Sequence, residues 1–248
     1  MNQTLWIATR KGLFSARSSG GGGSGSQSTS DQTNWKLDER ISFLGEPVSA
    51  VLVDKRPLAR GEPAALYAAL RLGHFGCKLH VSRDDGASWT ELAVPVYPPK
   101  PAEAKQANGE PDTNSWTLDT IWTLETGGAD QPGRLWAGTV PGGLFKSDDA
   151  GLSWQLVDSL WNTPERPQWF GGGYDFPGIH SISVDPRNAD SILIAISSGG
   201  AWITDDGGAS WAPTHGMRNE YMPPGEEYGP IVQDPHRVGR CAAEPDGV

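Results

Sequence analysis

Only two cysteines, Cys77 and Cys241, occur in 248 residues. They lie far apart and outside any Cys-x-x-Cys spacing, which argues against both a disulfide framework and a zinc knuckle. No run of 18 apolar residues exists, so no membrane-spanning helix is expected. Basic residues are also short: 20 Lys and Arg stand against 30 Asp and Glu, a formal charge of −10. Such a surface repels phosphate backbones, and no basic cluster overrides it, so nucleic acid is not an expected partner. The amino terminus, Met1 to Trp6, lacks a basic start followed by an apolar stretch. The expectation is therefore a cytoplasmic setting. Long stretches free of Gly, Pro and turn residues are missing as well, which disfavours a helix bundle. What is abundant is Gly (32), Pro (20) and Trp (11).

The tryptophans recur in a phrase, Ser/Thr-x-Asp-x-Gly-x-Ser-Trp. It is carried by Ser82, Asp84, Gly86 and Trp89, by Ser147, Asp149, Gly151 and Trp154, and by Thr204, Asp206, Gly208 and Trp211. Short β-rich runs separated by a glycine turn precede each copy, as in 135–139 and 144–146 or 192–196 and 201–203. Residues 5–9 and 13–15 fit the same frame, but their octapeptide is replaced by a Gly/Ser tract at 18–30, read as an inserted flexible loop. A further strand opens each unit, at 48–54, 118–125 and 179–185.

Four-stranded units restarting at intervals of about 55–65 residues are the signature of β-propeller blades. The expected fold is all-β, one propeller domain of four-stranded antiparallel blades. The expected boundaries are a partial first blade (1–44), then 45–98, 112–162 and 175–218, and the start of a fifth (228–248). About four blades are present. The expectation is an incomplete ring of a six- or seven-bladed propeller, with a closed four-bladed ring as the alternative. An incomplete ring exposes blade edges that invite self-association.

The octapeptide is expected to be a self-contained turn. Its Asp accepts hydrogen bonds from its own loop, and its Gly supplies a positive φ. Its Trp packs between sheets, where full burial is worth at most roughly 4–6 kcal/mol. A calcium loop is disfavoured, because the twelfth position holds Pro95, Ser159 or Gly216 in place of Glu.

The three octapeptides resemble Asp-box, or BNR, repeats, as found in sialidases, xyloglucanase-type glycoside hydrolases, sortilin-like receptors and photosystem assembly propellers. The stretch from Trp169 through His180 to Asp185-Pro186, with Gly73 to Gly76, resembles bacterial soluble BNR-like proteins labelled glycosyl hydrolase or sialidase-like. The resemblance covers essentially the whole chain and implies the fold more than any activity. An Arg-Ile-Pro start, as in true sialidases, is missing: residues 9–12 read Thr-Arg-Lys-Gly.

In a propeller, function is expected on the face built by the long loops after the fourth strand and by the turns between second and third strands. The first such loop, 95–116, reads as a mobile lid or linker. The second offers Trp169, Tyr174 and Asp175 leading to His180, an aromatic and acidic set suited to sugar rings. The third offers Glu220 and Tyr221, and Arg71 and His74 belong to the same face. A glycosidase needs two carboxylates about 5–9.5 Å apart, and Asp119 and Asp175 are the candidates. The resemblance places Asp119 where xyloglucanase-type enzymes carry an acid. His74, His180 and His236 could in principle converge on a metal, but no metal or other cofactor is expected. The leading expectation is a non-catalytic propeller that binds a glycan or protein at this face. A glycoside hydrolase is the alternative, and a fragment without independent function is a third reading.

Overall fold

The computed structural model describes residues 3–19, 34–56, 64–106 and 108–241. They form four consecutive antiparallel sheets. The first has three strands, β1 (Thr4–Thr9), β2 (Gly12–Ser19) and β3 (Asn34–Leu37). The second is β4 (Val48–Asp54), β5 (Ala65–Arg71), β6 (Cys77–Ser82) and β7 (Thr90–Leu92). The third is β8 (Thr120–Thr126), β9 (Leu135–Val140), β10 (Leu144–Ser147) and β11 (Gln155–Leu156). The fourth is β12 (Ile179–Asp185), β13 (Asn188–Ile196), β14 (Gly200–Thr204) and β15 (Ala212–Pro213). A single helical turn, α1 (Asp158–Trp161), follows β11.

Strand order follows chain order in every sheet, and β4, β8 and β12 pack side by side as the inner row. Sheet follows sheet around that row, so the chain is a partial β-propeller. Among the described residues the first sheet has no inner strand of its own: β1 packs on β4 as β9 packs on β12.

Each seam between sheets holds its own apolar core. Leu13 meets Leu66 and Leu70 at the first seam. Tyr67 and Leu79 meet Ile121 and Phe145 at the second. Trp136 and Leu144 meet Ile192 and Trp202 at the third. Being covered on both sides explains why β5 and β9 are buried almost throughout, with none of the alternation of a half-exposed strand.

The octapeptide turns repeat one hydrogen-bond set. The Ser88 amide donates to Asp84 Oδ1 at 2.8 Å, and the Gly86 amide donates to Ser82 Oγ at 2.8 Å. The same bonds recur at 147–153 and 204–210. Gly86, Gly151 and Gly208 all have positive φ. Bonds from the Ser88 hydroxyl, which contributes most, the Ser88 amide and the Ser82 hydroxyl lower the Asp84 carboxyl to about 2. Trp89, Trp154 and Trp211 are only partly buried, so each contributes less than the full-burial bound.

Several expectations need correction. Ser18 and Ser19 belong to β2, and the rest of the Gly/Ser tract, 20–30, lies outside the described residues. The inner strand of the third sheet, β8, begins at Thr120, leaving Leu118 and Asp119 in the preceding loop. The first long loop is tied down and is no free lid. Tyr97 is buried in it, and Lys100 donates to the carbonyls of Asp112 and Asn114. Among the described residues of 228–241 there is no strand, only a 3-10 turn at Pro230–Val232. That segment lies across the fourth sheet, with Gly200 donating to the Gln233 carbonyl and Arg240 reaching Asp185 and Ser191. Residues 242–248 lie outside the described residues.

Candidate functional site

Strand polarity sends the octapeptide turns to one end of the sheets. The long loops and the turns between second and third strands gather at the other. At that second end, a cavity of about 980 Å³ opens over the seam between the second and third sheets. Arg71, at the end of β5, and Thr120, at the start of β8, line it together with Trp122 and Tyr174. Exposed Glu46 and Phe75 line it as well.

Asp119 is not itself among the lining residues but holds three of them, Arg71, Thr120 and Tyr174. Arg71 Nη2 donates to its Oδ1 at 3.0 Å, while Tyr174 OH and Thr120 Oγ1 donate to its Oδ2 at 2.9 and 2.8 Å. Partial burial opposes its charge, but the bonds from Thr120, Tyr174 and Arg71 outweigh that and hold the carboxyl below its usual range. Asp119 is therefore ionised at neutral pH, fit to stabilise positive charge or attack as a nucleophile and unfit to donate a proton. The guanidinium of Arg71 also lies 5.6 Å from the Tyr174 ring centre. Beneath, Cys77 donates its thiol to the Asp119 carbonyl at 3.0 Å, and burial pushes that thiol up to about 11, keeping it protonated.

Trp122 is positioned by an absence. A Cβ on Gly178 would stand 2.4 Å from its ring, so only glycine at 178 lets the indole lie there. The ring packs at 5.9 Å from both Tyr174 and His180. Beyond it lies a second cavity of about 550 Å³, which shares Ser49, Trp122 and Tyr174 with the first and adds His180, Asp234 and His236. His180 Nδ1 contacts Ser181 Oγ at 2.9 Å, and burial lowers its basicity, which favours the neutral ring.

The structure thus brings Arg71, Asp119 and Tyr174 together and sets His180 next to them. Other candidates lie elsewhere. Trp169 is 4% exposed and stacks edge-on against Trp202, so it caps the core between sheets and offers no face to a ligand. Asp175 is exposed and lines neither cavity. His74 is exposed in a 3-10 turn against Phe75. Glu220 pairs with Arg218, and Tyr221 is 99% exposed. His180 and His236 share a cavity without His74, and no metal-ligating cluster occurs among the described residues. Glu46, Trp122 and Asp234 escaped the sequence reading: Glu46 and Asp234 sit in stretches with no distinguishing pattern, and Trp122 belongs to a strand whose residues carry no sign of which one faces the cleft.

No protein-family model matches the chain. It is 27% identical over 217 residues to an oligoxyloglucan-reducing end-specific xyloglucanase of Emericella nidulans, covering 86% of this chain and 24% of that protein. It is 29% identical over 165 residues to a probable enzyme of the same name from Neosartorya fischeri, covering 65% of this chain and 17% of that one. The chain thus spans about a quarter or less of the length of these curated relatives. Among solved structures it is similar to a xyloglucanase of Xanthomonas campestris, with TM-score 0.47, 15% identity and coverage of 90% of this chain and 32% of that one. It is also similar to YCF48 from Cyanidioschyzon merolae, with TM-score 0.43, 14% identity and coverage of 84% and 55%. The similarity to xyloglucanases overturns the leading expectation of a non-catalytic binding propeller and favours its alternative. The chain is a partial β-propeller similar in sequence to glycoside hydrolases.

Proposed function

We propose that the chain forms part of a glycoside hydrolase acting on a xyloglucan-type polysaccharide, bound in the cleft at the long-loop face. The carrying observation is the ionised Asp119, held by Arg71 and Tyr174, which both line the 980 Å³ cavity. Trp122 and exposed Phe75 offer ring faces for sugars at the same place. Asp119 serves as the charged carboxylate, attacking or stabilising the oxocarbenium-like transition state. Glu46, lining the same cavity, supplies the proton. The names of the curated relatives support this substrate class. The recurring hydrogen-bond sets of the octapeptide turns support counting them as Asp-box repeats.

The test is the release of reducing ends from xyloglucan by the wild-type chain and by Asp119→Asn, Glu46→Gln and Asp175→Asn. Loss in the first two variants with retention in the third is the expected result. A wild type that neither binds nor cleaves xyloglucan, or an Asp119→Asn variant with full activity, overturns the reading.

A further inference from the structure

We infer that the smaller cavity holds a serine esterase centre, in which Ser181 attacks a short-chain carboxylic ester and His180 carries the proton. This goes beyond the glycoside hydrolase reading and does not rest on it.

The backbone builds the pair. Each inner strand carries one extra residue near its start, where its register against the second strand slips: Ser49 in β4, Trp122 in β8 and His180 in β12. Such bulges re-aim side chains, and all three extra residues line the cavity of about 550 Å³. Trp122 and Tyr174, which also line the larger cavity, form the partition between the two. On a regular strand His180 and Ser181 would point to opposite faces. With the bulge at His180 they meet, Nδ1 to Oγ at 2.9 Å, and both line the smaller cavity.

The surroundings suit a base that gains and returns a proton. Burial keeps His180 neutral at rest, while the Pro235 carbonyl and the Asp234 carboxylate favour its protonated form against His236. Both therefore stabilise the imidazolium that forms as Ser181 gives up its proton. Gly171 and Gly173 line the same cavity, and their amides donate no hydrogen bond among the described residues. A Cβ at Gly171 would stand 1.8 Å from the Tyr174 carbonyl oxygen, so the backbone there is necessarily bare. These amides are the donors for the oxyanion of the tetrahedral intermediate.

Hydrolysis runs in two halves. Ser181 Oγ bonds to the acyl carbon, and its proton passes to His180 Nδ1. The ester C–O bond breaks, and His180 returns the proton to the departing alcohol. Water then attacks the acyl-serine, giving its proton to His180. Ser181 leaves with that proton, and a carboxylic acid is released.

Wild-type protein treated with diisopropyl fluorophosphate and mapped by peptide mass spectrometry is expected to carry the adduct at Ser181. Heat-unfolded protein is expected to carry none. Hydrolysis of p-nitrophenyl acetate above the unfolded-protein background is expected to fall by roughly 10²–10⁴-fold in His180→Asn and at least as far in Ser181→Ala. Labelling needs no variant, so it decides the matter even where a substitution unfolds the protein. No adduct on the wild type, an adduct at another residue in its place, equal labelling of unfolded protein, or a Ser181→Ala variant with the wild-type rate overturns the esterase centre. Cleavage of xyloglucan by protein that takes no label overturns this centre alone and leaves the glycoside hydrolase reading standing.

Discussion

Arg71 and Asp119 join across the seam between the second and third sheets, with Nη2 3.0 Å from Oδ1. Against the cost of partial burial, the bonds from Thr120 and Tyr174 lower the carboxyl first, and the pair adds to them. Removing the guanidinium with Arg71→Ala takes away one hydrogen bond and one favourable charge, so the folded-state pKa of Asp119 rises. The acid limb of the kcat/KM profile on xyloglucan is expected to move to higher pH, and an unmoved limb would assign the ionisation to another group. Asp119→Asn is expected to lower kcat by about 10²–10³-fold, the scale of losing a charge aimed at the transition state, with secondary structure by circular dichroism unchanged.

Tyr97 closes a buried triangle. Its hydroxyl contacts Thr139 Oγ1 at 2.5 Å and accepts from the Gly143 amide at 2.8 Å, while Thr139 donates to the Gly143 carbonyl at 2.8 Å. Tyr97→Phe leaves the Gly143 amide unsatisfied, at a cost of about 1–3 kcal/mol. Urea unfolding measures this directly, and a change under about 0.5 kcal/mol, typical of surface substitutions, would mean the triangle contributes nothing.

At the opposite end, Arg56 pairs with the buried Asp54 and donates to the carbonyls of Gly128, Gln131 and Arg134 in the next sheet. Arg56→Ala leaves Asp54 buried without its cation, so a loss of about 3–5 kcal/mol is expected. The matched double variant Asp54→Asn with Arg56→Ala should recover part of that loss in the same unfolding measurement.

Acid weakens the octapeptide turns in a defined window. Asp84 has its pKa lowered from 3.8 to about 2, so its contribution is present in full above 3.8 and is lost as pH falls toward 2. Asp149 and Asp206 are lowered too. Melting temperature followed from pH 5 to pH 2 should fall mainly below pH 4, and Asp84→Asn should flatten that fall.

Glycine at these turns gives a backbone test. Gly86 has φ +77 and would place a Cβ 2.8 Å from the Trp6 ring. Gly86→Ala is therefore expected to lose more than the ~1–2 kcal/mol of a left-handed residue alone. Gly216→Ala, also at positive φ but in open space, should show only the backbone cost in parallel thermal melts.

The propeller was legible in the sequence because its turns are local. Asp84 reaches Ser82 and Ser88, no more than four residues away, so a short phrase holds all the information the turn needs. Inner-strand positions were legible to within a residue or two for the same reason. The cleft was legible only in part. Arg71 and Tyr174 lie 48 and 55 residues from Asp119, and no local pattern states that they meet. Two tryptophans were sorted by packing alone. Trp169 was drawn into the core beside Trp202, whereas Trp122, in the middle of an inner strand, became the partition of the cleft.

The sequence by itself determined the repeating unit, its turns and its glycine positions, since hydrogen bonds within eight residues and the φ preference of glycine are properties of the chain segment. The tertiary structure alone decided which side chains share the cleft. The stacking of sheets about the inner row sets distances between residues dozens of positions apart, and it adds the Tyr174 and Arg71 contacts to the local Thr120 bond on Asp119.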